Sequence, residues 1–286
     1  MKCIYTIYVE AFRPSSQYFE LLGSLFTRCM QYLLLLFFLF YNSFANCDTL
    51  QSSLEKIPSR DLVEIENLFR YLMLEEQFGY TLLGDKPIST IGVFKKKVIQ
   101  SILAPKEYDM LLYRWNIWKK YASYFHSSNY SIIENESDHI LEIYFINRNA
   151  CKKIICENFT IFQNVLGREI TPEVILKRIE TSQQLVKEAL NNSQLLYGIL
   201  LGYGNSNAFG FEFMHKHRNY IMKPPKPFHE ESLSLPVLIH LPYFMVFYNN
   251  AETAKLRETY RKERQEICAI LNSSDNFLTI LKKYLD

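Results

Sequence analysis

The residues best suited to chemistry in this 286-residue chain are Glu212, His215 and His217, with His229 and Glu230 a short loop further on. Imidazole and carboxylate groups are the ligands zinc prefers, and the same pair can move protons as general acid and base, so this cluster points to a metal-assisted or acid–base hydrolase. Glu212 and His215 share one face of a helix if the segment is helical, whereas His-x-His suits a strand, and no HExxH pattern fixes the ligand count. The preferred reading is a polar helix end, with Glu212, His215, His217 and His229 kept as weak candidates for a metal site. A second candidate is Gly202-Tyr203-Gly204-Asn205, whose backbone N–H groups could cradle an anion. It lacks the third glycine of a dinucleotide site and the Lys-Ser/Thr of a P-loop, so a helix-ending turn is the preferred reading. GxSxG and paired-carboxylate signatures are missing, and Ser234 has no basis for selection as a nucleophile. The catalytic residues and any cofactor are therefore unknown at this level.

Behind these residues stands a front end that fixes a compartment. Met30 to Phe40 reads MQYLLLLFFLF and Tyr41 to Cys47 reads YNSFANC, a short apolar run closed by small and polar residues. That is the form of a secretory signal, with Ser43-Phe44-Ala45 placing cleavage after Ala45 and Arg28 supplying positive charge upstream. Residues 1–45 are thus expected to be a signal peptide or signal anchor, and 46–286 the mature exported domain. An uncleaved anchor would form a transmembrane helix. Phe44-Ala45-Asn46-Cys47 is also similar to a bacterial lipobox, although Asn46 departs from it, and lipidation at Cys47 would tether the protein to a membrane. Localisation is accordingly exported: secreted, periplasmic or membrane-tethered.

Four cysteines follow the cut, Cys47, Cys151, Cys156 and Cys268, an even number that in an exported chain allows disulfide bonds in three pairings. Structural bridges or buried thiols are preferred over a catalytic cysteine. The chain carries a net charge of +2, of which residues 1–45 hold +1, so the remainder is nearly neutral and leaves no electrostatic footprint for nucleic acid. Aromatic residues make up 15% of the chain, but Phe, Tyr, Ile, Asn and Lys share A+T-rich codons, which discounts both that excess and the sequons at Asn129, Asn135, Asn158, Asn191 and Asn272.

The elements that must position these groups are mostly helical. Asp61 to Glu64 opens a helix expected to reach Phe78-Gly79, followed by an extended stretch from Tyr80 to Pro87 and a helix from Ile91 to Leu103. Glu107 to Phe125 is an aromatic helix, with Leu111, Trp115, Trp118, Ala122 and Phe125 on one stripe and Tyr113, Ile117, Tyr121 and Tyr124 on a second. Core packing is preferred over a platform for sugars or a partner. Tyr130 to Ile133 and Ile140 to Ile146 read as a hairpin. Asn147 or Asn149 should cap a helix running toward Val165, closed by Gly167, and Thr171-Pro172-Glu173 should start one reaching about Asn191. Leu195 to Leu201 is a short apolar helix. The Lys223 to Pro227 stretch is a stiff loop, Leu235 to Tyr248 an edge or broken strand pair, and Asn249 or Asn250 caps a charged helix to Leu271. A last helix starts at Ser273 or Ser274. The expected fold class is α+β, a predominantly helical single domain with a small antiparallel strand component.

Phe69 to Glu76, Gly79 to Pro87, Leu196 to Gly204 and Glu252 to Tyr260 resemble segments of uncharacterised exported proteins of chlamydia-like obligate intracellular bacteria. The resemblance implies a bacterial origin and an envelope or secreted destination. It carries no established activity and no functional residues. The leading expectation is an exported, non-enzymatic protein that binds a protein or envelope partner, and the alternative is a secreted hydrolase around His215 and His217. An effector delivered to a host cell would share the same export signal.

Overall fold

A computed structural model describes residues 54–95, 105–125, 127–217, 226–227, 239–273 and 277–285. The chain divides into two compact units, Met1–Lys56 and Ile57–Asp286, and every element named below lies in the second. The fold is α+β and mostly helical, built around a three-stranded antiparallel sheet.

Helix α1 (Ser59–Leu74) buries Ile65, Leu68, Phe69, Leu72 and Met73, the apolar stripe its spacing predicts. It stops earlier than expected. Gln77 takes a left-handed φ of 65°, and the chain re-enters a short helix α2 (Phe78–Leu82), all five of whose residues are buried. Strand β1 (Ile88–Phe94) replaces the helix expected from Ile91. Its register against β3 (Ile140–Asn147) runs from Ile88 opposite Ile146 to Phe94 opposite Ile140, and its apolar side chains pack against a partner some 50 residues away in sequence. Residues 96–104 lie outside the described residues.

Helix α3 (Pro105–Tyr121) packs its aromatic stripe into the core, where Trp115 is 2% and Trp118 4% exposed. Trp118 meets Phe69 edge-on at 4.7 Å and Phe125 at 4.6 Å. The hairpin appears where alternation places it, as β2 (Tyr130–Glu136) against the central strand β3. Asn147 accepts from Ala150 N and so caps α4 (Arg148–Glu157), but Asn158 breaks the continuous helix expected there and starts α5 (Phe159–Leu166), which Gly167 ends with φ 111°.

Thr171 and Pro172 start α6 (Pro172–Thr181). Ser182, in an extended conformation, ends it well short of Asn191, and Leu185–Ala189 forms a single π turn. Ser193 caps α7 (Gln194–Leu200), which pairs with α8 (Asn205–Lys216) so closely that a Cβ on Gly198 would lie 2.8 Å from Ala208 Cβ. Two residues each of β4 (Lys226–Pro227) and β5 (Met245–Val246) form a short ribbon. Asn250 accepts from Thr253 N to cap the long helix α9 (Ala251–Ser273), and α10 (Phe277–Leu285) follows.

Two expectations are corrected. The transmembrane helix finds no counterpart, since no helix among the described residues is long and apolar enough to cross a membrane. The apolar segment within residues 1–45 lies outside the described residues. Nor are the expected disulfides formed among the described residues, where Cys151, Cys156 and Cys268 are all free. Cys151 is sealed in the core of α4 with its thiol donating to the Pro87 carbonyl at 3.4 Å, while Cys156 faces outward five residues along the same helix. Cys47 lies outside the described residues.

Candidate functional site

Helix α8 carries two of the four residues proposed for a metal site, Glu212 and His215, and His217 is the C-cap residue that follows it. Glu212 is already engaged: one carboxylate oxygen accepts from Leu195 N at 3.0 Å, capping the start of α7, and the other pairs with Lys216 at 2.5 Å. His217 lies at the helix end with its ring 4.5 Å from that of Phe213, and His215 is in the last turn. His229 lies outside the described residues. Among the described residues no group of three or more His, Cys, Asp or Glu side chains is placed to hold a metal ion.

The glycine turn resolves into a double cap. Gly202 N bonds to Ile199 O and Tyr203 N to Gly198 O, both at 3.0 Å, the paired bonds of a Schellman ending for α7, and Gly202 takes the φ of +75° that this ending needs. Gly204, with φ +79°, then opens α8. The anion suited to the N–H groups that follow is supplied by the protein itself. Glu252, in the first turn of α9, accepts from Asn205 N at 2.7 Å and Ser206 N at 2.9 Å. Burial acts to raise the Glu252 pKa, but the Ser206 side chain together with these two backbone bonds outweighs it and holds the carboxyl below the ordinary value.

Further along α9 the same face meets two more turns. Tyr260 donates its hydroxyl to Gly202 O at 2.9 Å, and Glu263 accepts from Asp85 N at 3.3 Å. Between these contacts, α4 and α9 enclose a cleft of about 490 Å³ lined by Asp85, Lys153, Asn158, Asn205, Glu252 and Glu263, among others. Behind it lies the fully buried Lys86, whose ammonium donates to Ile88 O at 2.5 Å and Leu201 O at 2.8 Å. Leu201 caps the C-terminus of α7, so the cation also meets the negative end of that helix. Burial pushes Lys86 down to about 7, while the same cause pushes Glu263 up to about 7. Burial also raises the thiol of Cys151, which disfavours its nucleophilic thiolate.

A different surface is aromatic. On α8, Phe209 is 55% exposed and Phe211 is also exposed. On the neighbouring segment 239–250, Tyr243 is 57% exposed, and Met245 and Tyr248 are exposed too. The two elements are held together by Asn207. Its amide nitrogen donates to Tyr203 O and Thr253 Oγ1, and its amide oxygen accepts from Phe247 N and Tyr248 N. Gly210 lets the segment approach, since a Cβ there would lie 2.6 Å from Phe247. Beneath the exposed groups, Tyr203 stacks on Phe244 at 4.4 Å and Phe211 meets Phe247 at 6.4 Å. Sequence reasoning read residues 235–248 only as an edge or broken strand pair. The signal it had was the density of aromatics between Tyr243 and Tyr248.

Comparison with protein-family models, with curated proteins and with solved structures finds no match to this chain.

Proposed function

We propose that this is an exported, non-enzymatic protein that binds a protein or envelope partner through the aromatic face formed by α8 and residues 239–250. The observation that carries the reading is the exposure of Phe209, Phe211, Tyr243, Met245 and Tyr248 on two elements that the Asn207 side chain fastens together. Aromatic residues and Met are enriched in recognition surfaces, where a large apolar body costs little conformational entropy to fix. Glu212, on the same helix as His215, is spent on capping α7, which favours a structural role for that corner. Export rests on the Met30 to Cys47 segment, which lies outside the described residues.

The test is photo-crosslinking in a bacterial host that exports the full chain, with a photoreactive residue placed at 209, 243 or, as control, the exposed Val174 of α6. A discrete adduct from 209 and 243 but not from 174, lost when Tyr248→Asp is added, is the expected result. Equal adduct patterns from all three positions would refute the reading. Intact mass of the same material reports export directly, because a chain beginning at Met1 in every fraction contradicts cleavage after Ala45.

A further inference from the structure

Glu263 occupies an uncomfortable position. Its Oε1 accepts from Asp85 N, while Oε2 is shut from solvent and has no hydrogen-bond partner among the described residues. The 84–87 turn is pressed directly onto this oxygen, and a Cβ on Gly84 would lie 2.9 Å from it. An ionised carboxylate there would leave one buried oxygen carrying charge without a hydrogen bond, which costs free energy that the neutral form is spared in part.

The groups around it make ionisation harder. From the turn come Asp85, which repels the charge, and Lys86, which attracts it but has committed its ammonium to two backbone carbonyls. From α9 come Glu266, which also repels, the buried Tyr260 hydroxyl, and the adjoining Arg264, whose Nη1 is itself buried without a partner. From α2 comes the buried Tyr80, and from α4 comes Lys153, held 3.4 Å from Asp85. Glu263 also lines the cleft, whose opposite end is fastened by Glu252 on the start of α8. Helix α9 therefore closes the cleft by two carboxylates of opposite habit. Glu252 works as an anion, and Glu263 is settled only when neutral.

We propose that Glu263 is a proton-operated latch on this cleft: the neutral carboxyl lets α9 lie against the 84–87 turn, and loss of its proton to solvent drives that part of α9 off the turn and widens the cleft. Burial, the largest cause of the raised Glu263 value, is relieved on opening, so the open state holds its proton less tightly than the closed one. Opening is then disfavoured at low pH, grows as pH rises toward about 7, and levels off above it.

Amide hydrogen exchange on the full chain reads the latch at Asp85 and Lys86, whose N–H groups bond to Glu263 and to Tyr80 O. After correction for intrinsic exchange, their protection is expected to fall by up to about tenfold per pH unit between pH 5 and 7 and then flatten. The central strand β3 should show no such trend. Glu263→Gln, which keeps the acceptor for Asp85 N, should remove the pH dependence and keep the turn protected. Asp85→Asn, which keeps the backbone donor and removes a repelling charge, should move the levelling point to lower pH. A flat wild-type profile, or the wild-type profile persisting in Glu263→Gln, overturns the proposal, as does an unmoved levelling point in Asp85→Asn.

Discussion

Replacing Glu252 by Ala removes the carboxylate that starts α8. In the folded protein it takes two backbone N–H groups, at 2.7 and 2.9 Å, at a helix N-terminus. Hydrogen bonds to a charged group are worth about 1.5–3 kcal/mol each, and the helix dipole adds about 0.3–1 kcal/mol. Water can reach part of this site and recover some of the loss, so the expected cost is about 3 kcal/mol at pH 7. For a domain of this size that lowers Tm by roughly 6–12 °C. The sign of the pH dependence is fixed as well. Because the folded-state pKa is depressed, the stabilisation is present above the ordinary value of 4.5 and disappears as pH falls through the folded value. Urea denaturation of wild type and Glu252→Ala at pH 7 and again near pH 3 should show a large gap that closes on acidification. A gap below about 1 kcal/mol at pH 7, or one that does not change with pH, would show that the cap does not hold α8 in place.

Three further outcomes follow from the same contacts. Gly202→Ala puts a Cβ 2.4 Å from the Tyr260 hydroxyl at a φ of +75°, and should cost about 2–4 kcal/mol in denaturant midpoints, with part regained in the Gly202→Ala, Tyr260→Phe double variant. Lys86→Met removes a buried amine whose pKa falls from 10.5 to about 7 on folding. Over pH 7 to 10 the unfolded wild type holds more protons than the folded one, so wild type should gain stability relative to the variant as pH rises, measured by thermal melts across that range. Asn207→Ala breaks four hydrogen bonds at the root of residues 239–250, so limited proteolysis there should quicken severalfold while β3 amides stay protected.

What could be read from the sequence was what local chemistry decides. Thr171-Pro172, Asn147 and Asn250 announce their helix starts because a cap acts within three residues, and the Tyr130 to Asn147 hairpin shows because alternation has a period of two. Ile91 to Phe94 misled because its apolar spacing fits a helix nearly as well, and only β3, far along the chain, decides for a strand. The Gly202 to Asn205 turn was recognisable as a helix ending, yet nothing near it reveals that Glu252, 47 residues on, is the anion it receives. Glu263 and Asp85 are 178 residues apart, beyond the reach of any pattern in the chain.

That separation has a consequence for how the protein is made. The turns at 84–87 and 202–206 leave a ribosome well before α9, and synthesis delivers the N-terminal parts first. Until Glu252, Tyr260 and Glu263 emerge, the Asp85, Asn205 and Ser206 amides and the Gly202 carbonyl lack the side chains that satisfy them. The sheet and the α7–α8 pair can pack together on the growing chain, since Ile88, Tyr144 and Ile146 share one core with Leu196, Ile199 and Ala208, and α9 adds its polar contacts afterwards. A nascent chain of this design therefore carries unsatisfied polar groups at both turns until α9 has been translated.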